Sequence, residues 1–145
     1  MIDMAEMHTL QRFLEAQEDS YEIALKELTA GKKRSHWMWY IFPQLRGLGR
    51  SDTARFYGIA DMDEAKAYLA DSILGARLSA CCEAMLLHTA KSALWILGDI
   101  DVMKLKSSMT LFALASGEED SVFHQVLQQF YNGKMDERTI ELLGV

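Results

Sequence analysis

Apolar positions recur along this chain at three- and four-residue spacings, with polar positions filling the gaps. Leu10, Phe13 and Leu14 fall at i, i+3 and i+4, which predicts a helix over about residues 9–17. Tyr21, Ala24, Leu25 and Leu28 repeat the spacing, with Asp19 and Glu22 reading as a capping box before them and Gly31 as a stop. The pattern leaves open whether these are two helices or one bent one. Ser51 is a cap for a helix through about residue 57, and Asp61 with Glu64 opens another through about residue 69. Ser72 is the expected cap of a long helix to about residue 90, with Leu74, Leu78, Cys81, Cys82, Met85 and Leu86 inward. A short apolar run at 93–97 ends at Gly98. Asp99 or Asp101 then begins a helix carrying Val102, Leu105, Met109, Phe112 and Ala113, closed by Gly117. Ser121 caps a helix with Phe123, Val126, Leu127, Phe130 and Tyr131, and Asp136 caps a last one over 139–143.

One stretch breaks the periodicity. Residues 35–44 read SHWMWYIFPQ, a nearly continuous apolar run. Ser35 is a candidate N-cap, and Pro43 disfavours the α conformation at Phe42, so the run predicts a short helix ending there. Its composition also suits a buried strand. No second strand pattern exists to pair with it, and a lone strand leaves its backbone unsatisfied. The expectation is therefore an all-α fold: one irregular bundle of about six to eight helices over residues 1–145, joined by short loops.

Composition agrees. One Pro and one Asn in 145 residues are too few turn formers for a loop-rich β-sandwich or a disordered tail. Cys81 and Cys82 are the only cysteines, and neighbours on a helix diverge by about 100°, so they read as reduced thiols of the core. Neither His8 nor His88 forms a metal-ligand spacing with them, and no metal or cofactor is expected. The acidic first residues lack the apolar core of a signal peptide, and the 37–43 run is too short to span a bilayer. A cytoplasmic protein without a membrane partner is expected.

The charge is unevenly placed. The net value is −6, which argues against binding nucleic acid polymers. Yet residues 31–60 hold six cations, Lys32, Lys33, Arg34, Arg46, Arg50 and Arg55, against the single acid Asp52, for about +5. The remaining residues hold nine cations and twenty acids, for −11. A basic segment interleaved with aromatics can focus an anionic ligand. Lys33, Arg46 and Arg50 offer charge-assisted bonds, and Gly47 and Gly49 could present backbone N–H groups to the same anion. Trp37, Trp39 and Tyr40 could form a stacking wall, with Ser35 and Gln44 at its ends. His36, at helical spacing from Trp39 and Tyr40, is either a base or donor toward a ligand, or a ring that satisfies a helix end or packs on an indole. Lys104 and Ser108, at i and i+4, either line a pocket or belong to a close helix contact that the small serines at 107 and 108 permit. The GLGRS loop lacks the spacing of a Walker or dinucleotide motif, and no nucleophile elbow is present. The first functional expectation is a site for a small phosphate-bearing or nucleotide-like anion at 33–50. The other is a protein-interaction module without a small ligand, in which case the cations are a solvated turn and the aromatics are core or a partner surface. Oligomeric state is not legible.

The 33–44 block KRSHWMWYIFPQ followed by GLGRS, the later KLKSSMTLF at 104–112, the F-x-x-V-L-x-x-F-x-x-G-x-x-D-x-x-T string at 123–139, and LQRFLEAQ at 10–17 together resemble the bacterial family called domain of unknown function 1810. The resemblance covers almost the whole chain. It implies a mainly helical fold and no established activity. Some members carry the label calpastatin, but calpastatin-type inhibitors resemble disordered, Pro-rich chains, and this one has a single Pro. The far-UV circular dichroism spectrum should be dominated by helix; a substantial β contribution would show that the 36–43 block had been misread.

Overall fold

A computed structural model describes residues 9–145 of the chain. The readings of the leader and of His8 lie outside the described residues. The described chain forms ten α-helices: α1 (Gln11–Glu18), α2 (Tyr21–Ala30), α3 (Met38–Ile41), α4 (Asp52–Tyr57), α5 (Met62–Ala70), α6 (Leu74–Leu86), α7 (Ala93–Leu97), α8 (Val102–Ser116), α9 (Val122–Tyr131) and α10 (Glu137–Leu143). The fold class is all-α, with more helices than six to eight because α3, α4 and α7 are separate short pieces. Each has its own stop. Phe42 leaves the helical region at φ −123°, ψ 73° ahead of Pro43. Gly58 is extended, and Gly98 turns to φ 90°. The only β pairing among the described residues is an isolated parallel bridge of Leu45 with Ile59, which closes the 45–59 loop around α4.

Side-chain caps form at Ser51, Asp61, Ser92, Ser121 and Asp136, each accepting from a backbone N–H three residues on. Four other predicted caps differ. Asp101 precedes α8, but its carboxylate makes no cap bond and is held by Lys33 and Lys104 instead. Ser20, not Asp19, precedes α2, without a side-chain bond. Asp71 caps α6 in place of Ser72, its carboxylate accepting from the N–H of Ile73 and Leu74. Ser35 caps nothing, because α3 starts three residues later and the Ser35 hydroxyl is bonded elsewhere.

The core is organised on α8, which is buried over most of its circumference from Leu105 to Ala115 and packs against α5, α7, α9 and α10. Ser107 and Thr110 survive in it by donating back to the carbonyls of Met103 and Lys106. A ladder of rings crosses the interior: Phe13 edge-on to Tyr68 at 5.2 Å, Tyr68 to Phe112 at 5.2 Å, and Phe112 to Phe123 at 5.8 Å. It ties α1, α5, α8 and α9 together. Cys81 and Cys82 lie in the core, where burial pushes the Cys81 thiol up to about 12 and raises Cys82 well above its ordinary value.

The least expected core residue is Arg12, whose side chain is fully buried. Its guanidinium forks onto the Glu64 carboxylate at 2.8 and 3.2 Å. It also donates to the carbonyls of Phe56, Gly58 and Thr9, so every face of the charge is occupied. Removing one partner of such a pair leaves a desolvated charge. Arg12→Ala should therefore cost about 3–5 kcal/mol in urea unfolding, and joint replacement of Arg12 and Glu64 by Met should recover much of that loss. A cost below about 1 kcal/mol for Arg12→Ala would show that the pair does not hold α1 in place.

Candidate functional site

The segment between α2 and α3 has no helix to satisfy its backbone, and Glu27 does so instead. Reaching forward from α2, its carboxylate accepts from the N–H of Arg34 (2.7 Å) and Ser35 (2.9 Å), the Ser35 hydroxyl (2.6 Å) and the Trp37 indole (3.0 Å). Burial alone would raise the Glu27 pKa, but these four donors reverse that and bring it down to about 2. The result is a rigid turn that drives Trp37 into the core, at 1% exposure, and leaves Arg34 and His36 on the surface.

Opposite this turn lies the connection from α7 to α8. The Lys33 N–H donates to the Ile96 carbonyl at 2.7 Å and seams the two segments together. The Lys33 ammonium, only 8% exposed, pairs with Asp101 at 3.0 Å and donates to the Ser35 carbonyl at 2.6 Å. Lys104 takes the other Asp101 oxygen at 3.3 Å, with its ammonium 5.8 Å from the centre of the Trp39 ring. One buried carboxylate thus orients two lysines. Above them opens a groove of about 430 Å³ lined by Lys33, Arg34, His36, Met38, Trp39, Lys104 and the 97–101 segment. The burial pattern gives it a shape. Lys33 and Asp101 form the floor, Arg34 and His36 one exposed lip, and Asp99 and Ile100 the other. The Arg34 guanidinium, the His36 ring and the Trp39 indole N–H have no partner among the described residues. Trp39 and Lys104 also wall off a crevice of about 20 Å³ that reaches Gln44, Gly49 and Tyr57.

Of the residues offered from sequence as ligand contacts, Lys33, His36, Trp39 and Lys104 meet in the groove and the others do not; Arg34, counted there only among the cations, joins them. Ser35 is consumed by Glu27 and Trp37 is core. Tyr40 turns away to pack on Tyr57 at 5.2 Å and donates to the Ser20 hydroxyl, so the three aromatics form no common wall. His36 precedes α3 and shares no helical face with Trp39 and Tyr40. Gln44 lies on the crevice. Arg46 donates to the carbonyls of Arg55 and Gly58 at 3.1 and 2.9 Å, bracing the 45–59 loop, and burial beside Arg12 lowers its pKa. Arg50 is exposed and lines neither opening. Gly47 adopts φ 106°, but Gly49 has no positive φ; a Cβ there would sit 2.4 Å from that of Ala54, so close packing explains it better than anion binding. Ser108 is wholly buried in α8 with its hydroxyl unpartnered, away from both openings.

The sequence reading missed Glu27 as an anchor and missed the far lip, Leu97, Asp99, Ile100 and Asp101. The faint signal was Asp101 placed three residues before Lys104. Among the described residues no three His, Cys, Asp or Glu side chains gather to hold a metal ion. No helix among them is long and apolar enough to cross a membrane.

The sequence model of the family described as Protein of unknown function (DUF1810) matches residues 7–143. The chain belongs to this family. The conserved hypothetical protein Rv1873 from Mycobacterium tuberculosis is a close structural likeness among solved crystal structures. It is 46% identical, with 95% of this chain and 98% of that one covered and a TM-score of 0.92. No curated protein matches the chain. DUF1810 membership thus brings a helical fold and no assigned chemistry, and the site has to be read from its own geometry.

The Glu27 carboxylate gives a pH signature. Its folded-state pKa of about 2 lies below the ordinary 4.5, so its contribution to stability is full above about pH 4.5 and is lost as the pH falls toward 2. Glu27→Gln should destabilise the protein at pH 7, and the gap to the native protein should close on acidification. A gap constant from pH 7 to pH 2.5 in denaturant titrations would remove the charge from the explanation.

Proposed function

We propose that the groove between residues 33–39 and 97–104 binds a small anionic ligand carrying a flat or ring-shaped portion. The observation behind this is the set of unspent donors. Arg34, His36 and the Trp39 indole line one opening without partners among the described residues, beside two lysines already oriented by Asp101. Donors of this kind suit the oxygens of a phosphate or carboxylate. The Trp39 ring, with Leu97 and Ile100 opposite, suits an apolar or aromatic body. The groove's volume is within the range of small-molecule sites, about 300–1,000 Å³. Binding is the supported part. The groove contains no nucleophile paired with a base, so catalysis has no geometric support.

A second reading has its own observation. Of the nine large hydrophobic residues exposed among the described ones, Leu94, Trp95, Ile100 and Met103 fall within ten residues of chain, next to the groove. Lys32 donates to the Trp95 carbonyl and sits 4.9 Å from the centre of the Trp95 ring, fixing that side chain at the surface. A protein-interaction module would use such a patch.

Calorimetric titration with nucleotides and phosphorylated sugars separates the two. The native protein should bind at least one of them, more weakly as salt rises. Replacing Arg34 and His36 together with Gln should weaken binding tenfold or more while changing stability little, because both side chains are exposed and neither is paired among the described residues, and Arg50→Gln should leave affinity unchanged. Equal affinity in the native protein and the double variant would remove the groove from consideration, and no binding across the panel would favour the interaction reading.

A further inference from the structure

The two lips of the groove differ in kind. One carries Arg34 and His36, both donors. The other carries Asp99, an exposed carboxylate with no hydrogen bond or ion pair among the described residues, between Gly98 and Ile100. A site built for a bare anion gains nothing from this carboxylate, since a like charge across the groove disfavours the ligand. Asp99 accepts hydrogen bonds only. A ligand that spans both lips must therefore be an anion at one end and a hydrogen-bond donor at the other. Two further features narrow the donor. On the basic side three cationic side chains, Lys33, Arg34 and Lys104, face the single carboxylate Asp101, which both lysines share, and the remaining charge of about +2 suits a dianion such as a phosphate monoester. Trp39 presents a ring between the lips, a surface on which the C–H face of a sugar or a flat base can lie.

We infer that the groove takes a phosphate monoester of a polyhydroxylated compound, a sugar phosphate or nucleoside monophosphate, with the phosphate toward Arg34, His36 and Lys104 and vicinal hydroxyls donating to Asp99. The inference rests on the anion-binding reading above and assigns its ligand class. It also gives Asp99 a role opposite in sign to that of a mere neighbouring charge. For inorganic phosphate, Asp99 is repulsive; for a sugar phosphate, it is a partner.

The experiment is calorimetric titration of native protein and Asp99→Ala with inorganic phosphate, ribose 5-phosphate, adenosine monophosphate, its 2′,3′-dideoxy analogue and O-phosphoethanolamine. In the native protein, ribose 5-phosphate and adenosine monophosphate should bind about tenfold or more tighter than inorganic phosphate, and the dideoxy analogue should lose most of that gain, because hydrogen bonds to a charged acceptor are the stronger kind. Asp99→Ala should weaken the two hydroxylated ligands and strengthen inorganic phosphate. A variant that strengthens all of them alike would overturn the assignment of Asp99 while leaving the anion site standing. Tighter binding of O-phosphoethanolamine than of ribose 5-phosphate would overturn it too, in favour of an ammonium donor. Absence of binding by every phosphate compound to the native protein would remove the site itself.

Discussion

Four donors converge on the Glu27 carboxylate, two of them backbone N–H groups that no helix satisfies. The local architecture depends on that convergence. A buried or half-buried N–H without an acceptor is costly, so the turn at 34–37 takes the one shape in which a single carboxylate serves both amides, the hydroxyl and the indole. Fixing the indole N–H sends the Trp37 ring inward, and the chain then leaves Arg34 and His36 facing solvent and Trp39 at the edge of the groove. The basic lip is thus a by-product of how an irregular turn meets its hydrogen-bond obligations, held from the neighbouring helix α2.

The same logic is repeated across the groove, with charged donors in place of neutral ones. Asp101 is buried, and it is tolerated because Lys33 and Lys104 each take one of its oxygens. A carboxylate of α2 shapes one wall, and a carboxylate at the start of α8 holds the two lysines beside the other. The apolar core beneath supplies rigidity: α8 is surrounded by other helices, and its rings continue into those of α5 and α9. Side chains at the surface of such a packed layer have little freedom to drift, which is what preorganisation of a small site requires.

Much of the helical outline was legible because its signals are local. Ser51, Asp61, Ser121 and Asp136 act on N–H groups three residues away, and the effect of Pro43 on Phe42 is between neighbours. The misreadings occurred where a distant or stronger acceptor intervened. Ser35 had the right chemistry for a cap but was claimed by Glu27, and Ser72 lost its role to the carboxylate of Asp71. Within the site, Lys33, His36 and Trp39 stood out through clustering of charge and aromatics, and Lys104 through its place in a helix otherwise apolar. Arg46 looked equally available, yet its donors are spent on carbonyls of its own loop. Nothing in local pattern distinguishes a cation facing solvent from one bracing a turn. The far lip was invisible for a related reason: the Lys33–Asp101 contact spans sixty-eight residues of sequence, and only the packing of α7 and α8 against the rest creates it.

The burial of Arg12 also bears on how the chain is assembled. Apart from the Thr9 carbonyl nearby, its acceptors are the carbonyls of Phe56 and Gly58 and the carboxylate of Glu64, presented by a loop and helix that follow it by more than forty residues. Without that loop, closed by the Leu45–Ile59 bridge, most of the guanidinium's hydrogen-bonding capacity can be met only by water. Seating of α1 and closure of the loop are therefore coupled: whatever opens the loop strips the buried guanidinium of distant acceptors. Helix α1 is in that sense a latch, fastened by a single side chain to a loop more than forty residues further along.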